Sequence, residues 1–205
     1  MIIGKDLGIA SFAMERFVCF LVLFSATRAT VTPNLCCSKH SLTADLHQVT
    51  GSYVNGTPST LEVSMKLYYD YDNLMMKMER QDGTTIVQDF NHKKQYTLSR
   101  KSCSKNDLPN GSNMQPPCIQ SNATYRGRNT IGDDVAYDVD TWFIESSSWG
   151  NLTVSVLSHD CTLVVQGIST NANNVVSQTT IFYHNVQYTT LEATTFQVPQ
   201  NCSES

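Results

Sequence analysis

The sequence predicts a mainly β protein. Three observations carry that prediction: clean period-two alternation of apolar and polar residues from Leu61 to Tyr71, a shortage of helical periodicity along the chain, and cysteines at the ends of strand-like segments. Leu61, Val63, Met65, Leu67, Tyr69 and Tyr71 point one way, while Glu62, Ser64, Lys66 and Asp70 point the other. Tyr68 breaks the pattern, and a tyrosine tolerates water on an outer face.

The elements follow in chain order. Residues 14–29 read as a secretory signal: Met14-Glu15-Arg16 supplies charge, Phe17 to Phe24 a short apolar core, and Ser25 to Ala29 a small-residue end. Cleavage is expected after Ala29, and Met14 is an alternative start. The apolar core is about half of the ~20 residues a membrane helix needs, and no later segment comes closer, so no transmembrane anchor is expected. Ser41 to Gln48 reads either as a helical turn or as the first strand. After the Leu61–Tyr71 strand, Asp72-Asn73 makes a turn, and Leu74, Met76 and Met78 share a face. Asp82-Gly83 signals a two-residue hairpin. Further strands are expected over Thr84–Phe90 and Gln95–Ser99. Ser104 to Gly127, with Pro109, Pro116 and Pro117, reads as a long loop. Strand character returns over Val135–Ile144, Leu152–Leu157, Thr162–Ile168 and Val175–Leu191, with a turn at Asn171–Asn174. The expected product is one domain over residues 30–205.

Composition narrows the function. Loss of residues 1–29 leaves 11 basic and 16 acidic residues, a formal net charge of −5. No basic stripe of the kind that binds nucleic acid is present. Six cysteines remain, Cys36, Cys37, Cys103, Cys118, Cys161 and Cys202, and an even number in an exported chain reads as a disulfide framework. Asn55, Asn110, Asn122 and Asn151 each open a glycosylation sequon, which fits a luminal or extracellular site.

Catalysis finds no support. Ser158-His159-Asp160 resembles a compressed triad, but neighbours on a strand point to opposite faces. The five histidines show no zinc spacing, and Asp70-Tyr71-Asp72-Asn73 lacks the Gly and Glu of an EF-hand loop. Asp133, Asp134, Asp138 and Asp140 form a denser acidic cluster. Solvated strand carboxylates explain it simply. The sharper expectation is a weak calcium site at Asp134, Asp138 and Asp140, since hard cations take carboxylate oxygens.

Strands with one apolar face need cover, so the sheet must curve over itself or dimerise. Met65, Met76 and Met78 then either fill an ordinary core or line a cavity.

A set of motifs goes further. Cys36-Cys37, Tyr69-Asp70-Tyr71-Asp72-Asn73-Leu74, Phe90-Asn91-His92-Lys93-Lys94-Gln95-Tyr96, Cys118-Ile119 before Asn122, Thr141-Trp142, His159-Asp160-Cys161-Thr162-Leu163-Val164 and Phe196-Gln197-Val198-Pro199-Gln200-Asn201-Cys202 occur in an order that resembles the ependymin family of secreted glycoproteins. The resemblance implies two curved antiparallel sheets forming a half-open barrel around a hydrophobic pocket, similar to bacterial lipoprotein carriers. It also implies lipid or fatty-acid binding, calcium association, matrix contacts, a homodimer, and a secreted or lysosome-like location. With it, the inward positions Met65, Leu67, Tyr69, Met76, Met78, Trp142 and Ile144 become expected pocket residues. The family pattern would pair Cys103 with Cys202 and one of Cys36 and Cys37 with Cys161, leaving the other for Cys118. An adhesion or signalling glycoprotein working through its surface is the alternative.

Overall fold

The computed structural model describes residues 32–100, 102–145, 150–172, 175–199 and 202–204. The expected leader at residues 1–29 lies outside these residues, as does part of the Asn171–Asn174 turn. Twelve strands are described: β1 (Ser41–Val54), β2 (Thr57–Asp70), β3 (Met75–Arg80), β4 (Thr85–Asp89), β5 (Lys94–Leu98), β6 (Cys103–Asp107), β7 (Thr124–Ile131), β8 (Tyr137–Ile144), β9 (Asn151–Leu157), β10 (Leu163–Ala172), β11 (Val175–Tyr188) and β12 (Ser203–Glu204). A 3-10 turn at Ala193–Phe196 is the only described helical element.

All the strands belong to one hydrogen-bonded sheet in the order β12-β6-β5-β4-β3-β2-β1-β11-β10-β9-β8-β7. Every pairing is antiparallel except that of β12 with β6. The two terminal strands of that order, β12 and β7, do not pair with each other, so the barrel stays open. Side chains from both flanks line one cavity, which requires the sheet to curve. The two expected sheets are thus two halves of a single sheet, joined through the 14-residue strands β1, β2 and β11.

Local chemistry explains the centre of the sheet. Asn55 (φ 48°) and Gly56 (φ 86°) both take positive φ between β1 and β2, the two-residue turn that an Asn-Gly pair favours. That turn fixes the register: Leu42 faces Tyr69, Ala44 faces Leu67 and Leu46 faces Met65. β3 continues the rows, with Met76 beside Tyr69 and Met78 beside Leu67. Apolar side chains therefore stack across three strands on the inner face, where cross-strand packing stabilises a sheet. Tyr68 faces outward, where its hydroxyl donates to Glu79 (3.1 Å) and Lys66 and Lys77 sit over its ring.

Of the two readings of Ser41–Gln48 the strand is the one found, as the first half of β1. Other expectations change. Asp82-Gly83 is a turn, but Gly83 alone takes positive φ, so the loop is wider than the two-residue form. The expected loop from Ser104 to Gly127 contains β6 and the start of β7. Their polar and charged sequences, Cys103-Ser104-Lys105-Asn106-Asp107 and Thr124-Tyr125-Arg126-Gly127-Arg128-Asn129-Thr130-Ile131, suit the margins of the sheet, where β7 is an edge and β6 is covered only by the two-residue β12, and where charge discourages stray pairing.

Three disulfides tie distant segments to the sheet: Cys36–Cys161, Cys37–Cys118 and Cys103–Cys202. The adjacent pair thus fastens the segment before β1 to two places, the turn after β9 and the end of the loop after β6. Backbone bonds reinforce the second place, from Ser38 N–H to Pro117 (2.9 Å) and from Ile119 N–H to Cys36 (2.9 Å).

Candidate ligand-binding cavity

The curved inner face encloses a cavity of about 680 Å³, within the ~300–1,000 Å³ typical of small-molecule sites. Leu42 and Leu46 of β1, Met65, Leu67 and Tyr69 of β2, and Met76 and Met78 of β3 form one wall. Val154 and Val156 of β9, Leu163, Gln166 and Ile168 of β10, and Ile181, Tyr183 and Val186 of β11 form the other. Gln48 of β1, Gln88 of β4 and Gln95 of β5 complete the strand lining, and residues 108–119 add a loop to it.

Two irregularities decide which side chains face inward. A register shift between Leu163 and Val165 inserts one extra residue into β10 opposite β9. Leu163 lines the cavity before the shift, and even-numbered Gln166 and Ile168 line it afterwards. Regular alternation would have turned Gln166 outward. On β11, Asn185 takes positive φ (49°) where the pairing with β1 also shifts, so Ile181 and Tyr183 share the inner face with Val186.

The polar groups of the cavity bond mainly to one another. Tyr183 Oη donates to Gln166 Oε1 (2.8 Å), and Gln166 Nε2 donates to Gln115 Oε1 (2.9 Å). Tyr69 Oη donates to the Gln115 carbonyl (2.7 Å), which ties the loop to β2. Gln88 Nε2 donates to Gln95 Oε1 (2.8 Å). Burial pushes the Tyr69 and Tyr183 phenols well above their ordinary range, so both remain protonated donors.

Of the expected pocket residues, Met65, Leu67, Tyr69, Met76 and Met78 line the cavity. Trp142 and Ile144 do not, and this corrects the sequence reading. They face the same interior, but Cys36, Ile119, Ala123 and Tyr125 pack over them and Leu152, leaving a solid core at that end. Trp142 is 1% exposed and Ile144 3%.

The expected calcium site is likewise corrected. Asp140 accepts from Arg128 Nε and Nη2, each at 2.9 Å, and from Tyr125 Oη at 2.9 Å. Both carboxylate oxygens are therefore taken by donors. Asp138 accepts from Thr130 Oγ1 (3.0 Å) and lies 4.0 Å from Arg128, while Asp134 is exposed in the β7–β8 turn. Among the described residues no three acidic, histidine or cysteine side chains converge as metal ligands. Asp70 caps its own turn, accepting from Asn73 N–H (3.1 Å) and Asn73 Nδ2 (2.7 Å).

Gln166, Gln115, Tyr183 and Ile181 escaped the sequence reading. Glutamine on a strand reads as an outward residue, and neither strand irregularity is visible in the alternation. The Asn-Gly pair at 55–56 was a usable signal for the central hairpin, and with it Leu42 and Leu46 become inward residues.

The family model described as Ependymin matches residues 78–202, more than half of the chain. The chain belongs to the ependymin family. Among curated proteins none matches it. Among solved structures, this family member is similar to an uncharacterised conserved protein from Thermus thermophilus, at 9% identity and a TM-score of 0.50, over 80% of this chain and 89% of that one. It is also similar, at lower overlap, to a LolA-superfamily protein from Nitrosomonas europaea (6% identity, TM-score 0.39, 77% and 90% covered). A DUF1329-family protein from Desulfovibrio piger gives 11% identity and a TM-score of 0.33, with 77% and 92% covered. At such identities the Thermus protein speaks to fold alone.

Proposed function

We propose that this ependymin-family chain is a secreted, disulfide-braced glycoprotein that binds a hydrophobic small molecule of the lipid or fatty-acid class in its cavity. The observation that carries the reading is the cavity wall. Leucine, isoleucine, valine and methionine side chains from β1, β2, β3, β9, β10 and β11 pack beside their neighbours along the sheet and face an open volume of about 680 Å³. An acyl chain entering it gains about 0.8 kcal/mol per buried methylene, against a cost for lost freedom of motion. The disulfides support an oxidising compartment. Asn55, Asn110, Asn122 and Asn151 are all exposed, so each sequon is open to glycan addition. A homodimer and matrix contacts belong to the proposal on the strength of family membership alone. No helix among the described residues is long and apolar enough to cross a membrane.

The test is native mass spectrometry of protein from a glycosylating, oxidising host, followed by organic extraction. The expected result is a co-purifying lipid or a captured added fatty acid, lost in Met76→Asp with the disulfides and circular dichroism unchanged. Protein that is empty and ignores added lipids would overturn the reading and favour an adhesive surface function.

A further inference from the structure

No charged side chain among the described residues lines the cavity. Among the described residues its polar lining consists of amides, hydroxyls and backbone groups. We propose that the cavity selects an uncharged amphiphile, one with an amide, ester or hydroxyl head, over an ionised fatty acid. This rests on the reading that the cavity holds a hydrophobic ligand, and it narrows that ligand's chemistry.

The argument begins with Gln166, a glutamine only 4% exposed on an otherwise apolar wall. The β10 register shift aims it inward, so the fold spends a strand irregularity on placing an amide there. An amide carries two N–H hydrogens and a carbonyl oxygen with two lone pairs. Gln166 uses one hydrogen on Gln115 Oε1 and accepts from Tyr183 Oη. One N–H and one lone pair are left for a ligand. The Gln88–Gln95 pair, also in the lining, offers the same mixture of donor and acceptor. Such groups match a head that donates and accepts hydrogen bonds without bringing a full charge.

An ionised carboxylate would be poorly served. In a site of low polarity an anion needs a cation or several converging donors, and without them it leaves water at heavy cost or takes up a proton. The described cations nearest the lining are not part of it. Arg80 faces Met65 in register and pairs with Asp82 through Nη2 (3.6 Å), while its buried Nε finds no hydrogen-bond partner among the described residues, which makes it the one cation to test. Lys93 donates to Ser112 O (2.9 Å) and Asn113 Oδ1 (3.3 Å), and Lys39 lies over the Tyr188 ring. A bound fatty acid would therefore enter protonated or keep its head at the opening.

The test titrates delipidated glycoprotein with three probes of equal chain length: decanamide, decanol and decanoate. At neutral pH decanamide and decanol are expected to bind at least about tenfold more tightly than decanoate, the consequence of an unpaired anion. Decanoate should approach them as the pH falls below its own pKa. Gln166→Leu should weaken decanamide several-fold while leaving decanoate nearly unchanged. Decanoate binding as tightly as decanol at neutral pH would overturn the inference, and loss of that binding in Arg80→Gln would reassign the site to a carboxylate anchor. In that outcome the lipid-binding reading survives. Failure of all three probes would sink both. The ligand series on the unaltered protein decides the matter even if Gln166→Leu fails to fold.

Discussion

Arg128 meets Asp140 through two N–H···O bonds of 2.9 Å, and Tyr125 adds a third donor to the same carboxylate. This forked geometry with a nearly buried acid holds the Asp140 carboxyl below its ordinary range, chiefly through the Arg128 hydrogen bonds and despite the opposing effect of burial. A depressed folded-state pKa means that the pair stabilises the fold above the unfolded-state value and ceases to do so as pH falls through the folded one. The stability gap between the natural chain and Arg128→Gln is therefore expected to be constant near neutrality and to shrink on acidification. Denaturant melts across a pH series measure it, and a gap independent of pH would detach Arg128 from the Asp140 charge. Leu152, fully buried beside Trp142, makes the complementary case of packing without charge. Leu152→Ala is expected to cost about 2–5 kcal/mol in the same melts. Single residues also show what the sequence could tell. Met65, Leu67 and Tyr69 were legible as inward residues because β2 alternates from Leu61 onward with Tyr68 as its single break. Asp140 was misread because its partner Arg128 lies on a neighbouring strand that the sequence pattern did not reveal.

The loop over residues 108–119 is built differently from the sheet it covers. It has no long ladder of its own, and its position rests on a few fastenings: the Cys37–Cys118 bond, Tyr69 Oη on the Gln115 carbonyl, Gln166 Nε2 on Gln115, Lys93 on Ser112 and Asn113, and the backbone bonds of Ser38 to Pro117, Ile119 to Cys36 and Leu108 to Lys93. Leu108 and Met114 pack with Phe90 beneath it. Few fastenings mean a low cost of local opening, while the paired strands open only with the whole fold. Cys37→Ser combined with Cys118→Ser is therefore expected to keep the far-ultraviolet spectrum of the natural chain. It should admit protease between 108 and 118 and release a bound lipid faster. Unchanged proteolysis and release would show that the hydrogen bonds alone hold the loop. The strands over 85–89, 94–98, 151–157 and 175–188 were legible almost in full, since each alternates or is bounded by turn residues. β6 and β7 were not, because strands at the margins of the sheet carry polar sequences that read as loop. The β10 and β11 shifts were invisible for a further reason: each inserts a residue without changing composition, and only the partner strand reveals it.

At the scale of the whole molecule, an open sheet around a cavity gives up part of the apolar packing that a filled core would supply. The disulfides offset that loss. They join residues 125, 81 and 99 positions apart, spans over which chain-entropy arguments assign each bond about 4–5 kcal/mol and engineered examples typically deliver about 2–4. Three such bonds rival the whole net stability of an ordinary domain, about 5–15 kcal/mol. Each also anchors a segment that lacks long pairing of its own: the residues before β1, the loop after β6, and the two-residue β12. Complete reduction and alkylation is therefore expected to abolish cooperative unfolding and cavity binding together. Reduction of the natural chain under native conditions should lower the denaturant midpoint sharply, by an amount that grows with each bond broken. Peptide mapping under non-reducing conditions provides the matching control, with Cys36 joined to Cys161, Cys37 to Cys118 and Cys103 to Cys202. A reduced chain that melts at the same midpoint and still captures lipid would show that the curved sheet sustains its cavity by packing alone. The cysteines would then guard against exchange or proteolysis instead of holding the fold.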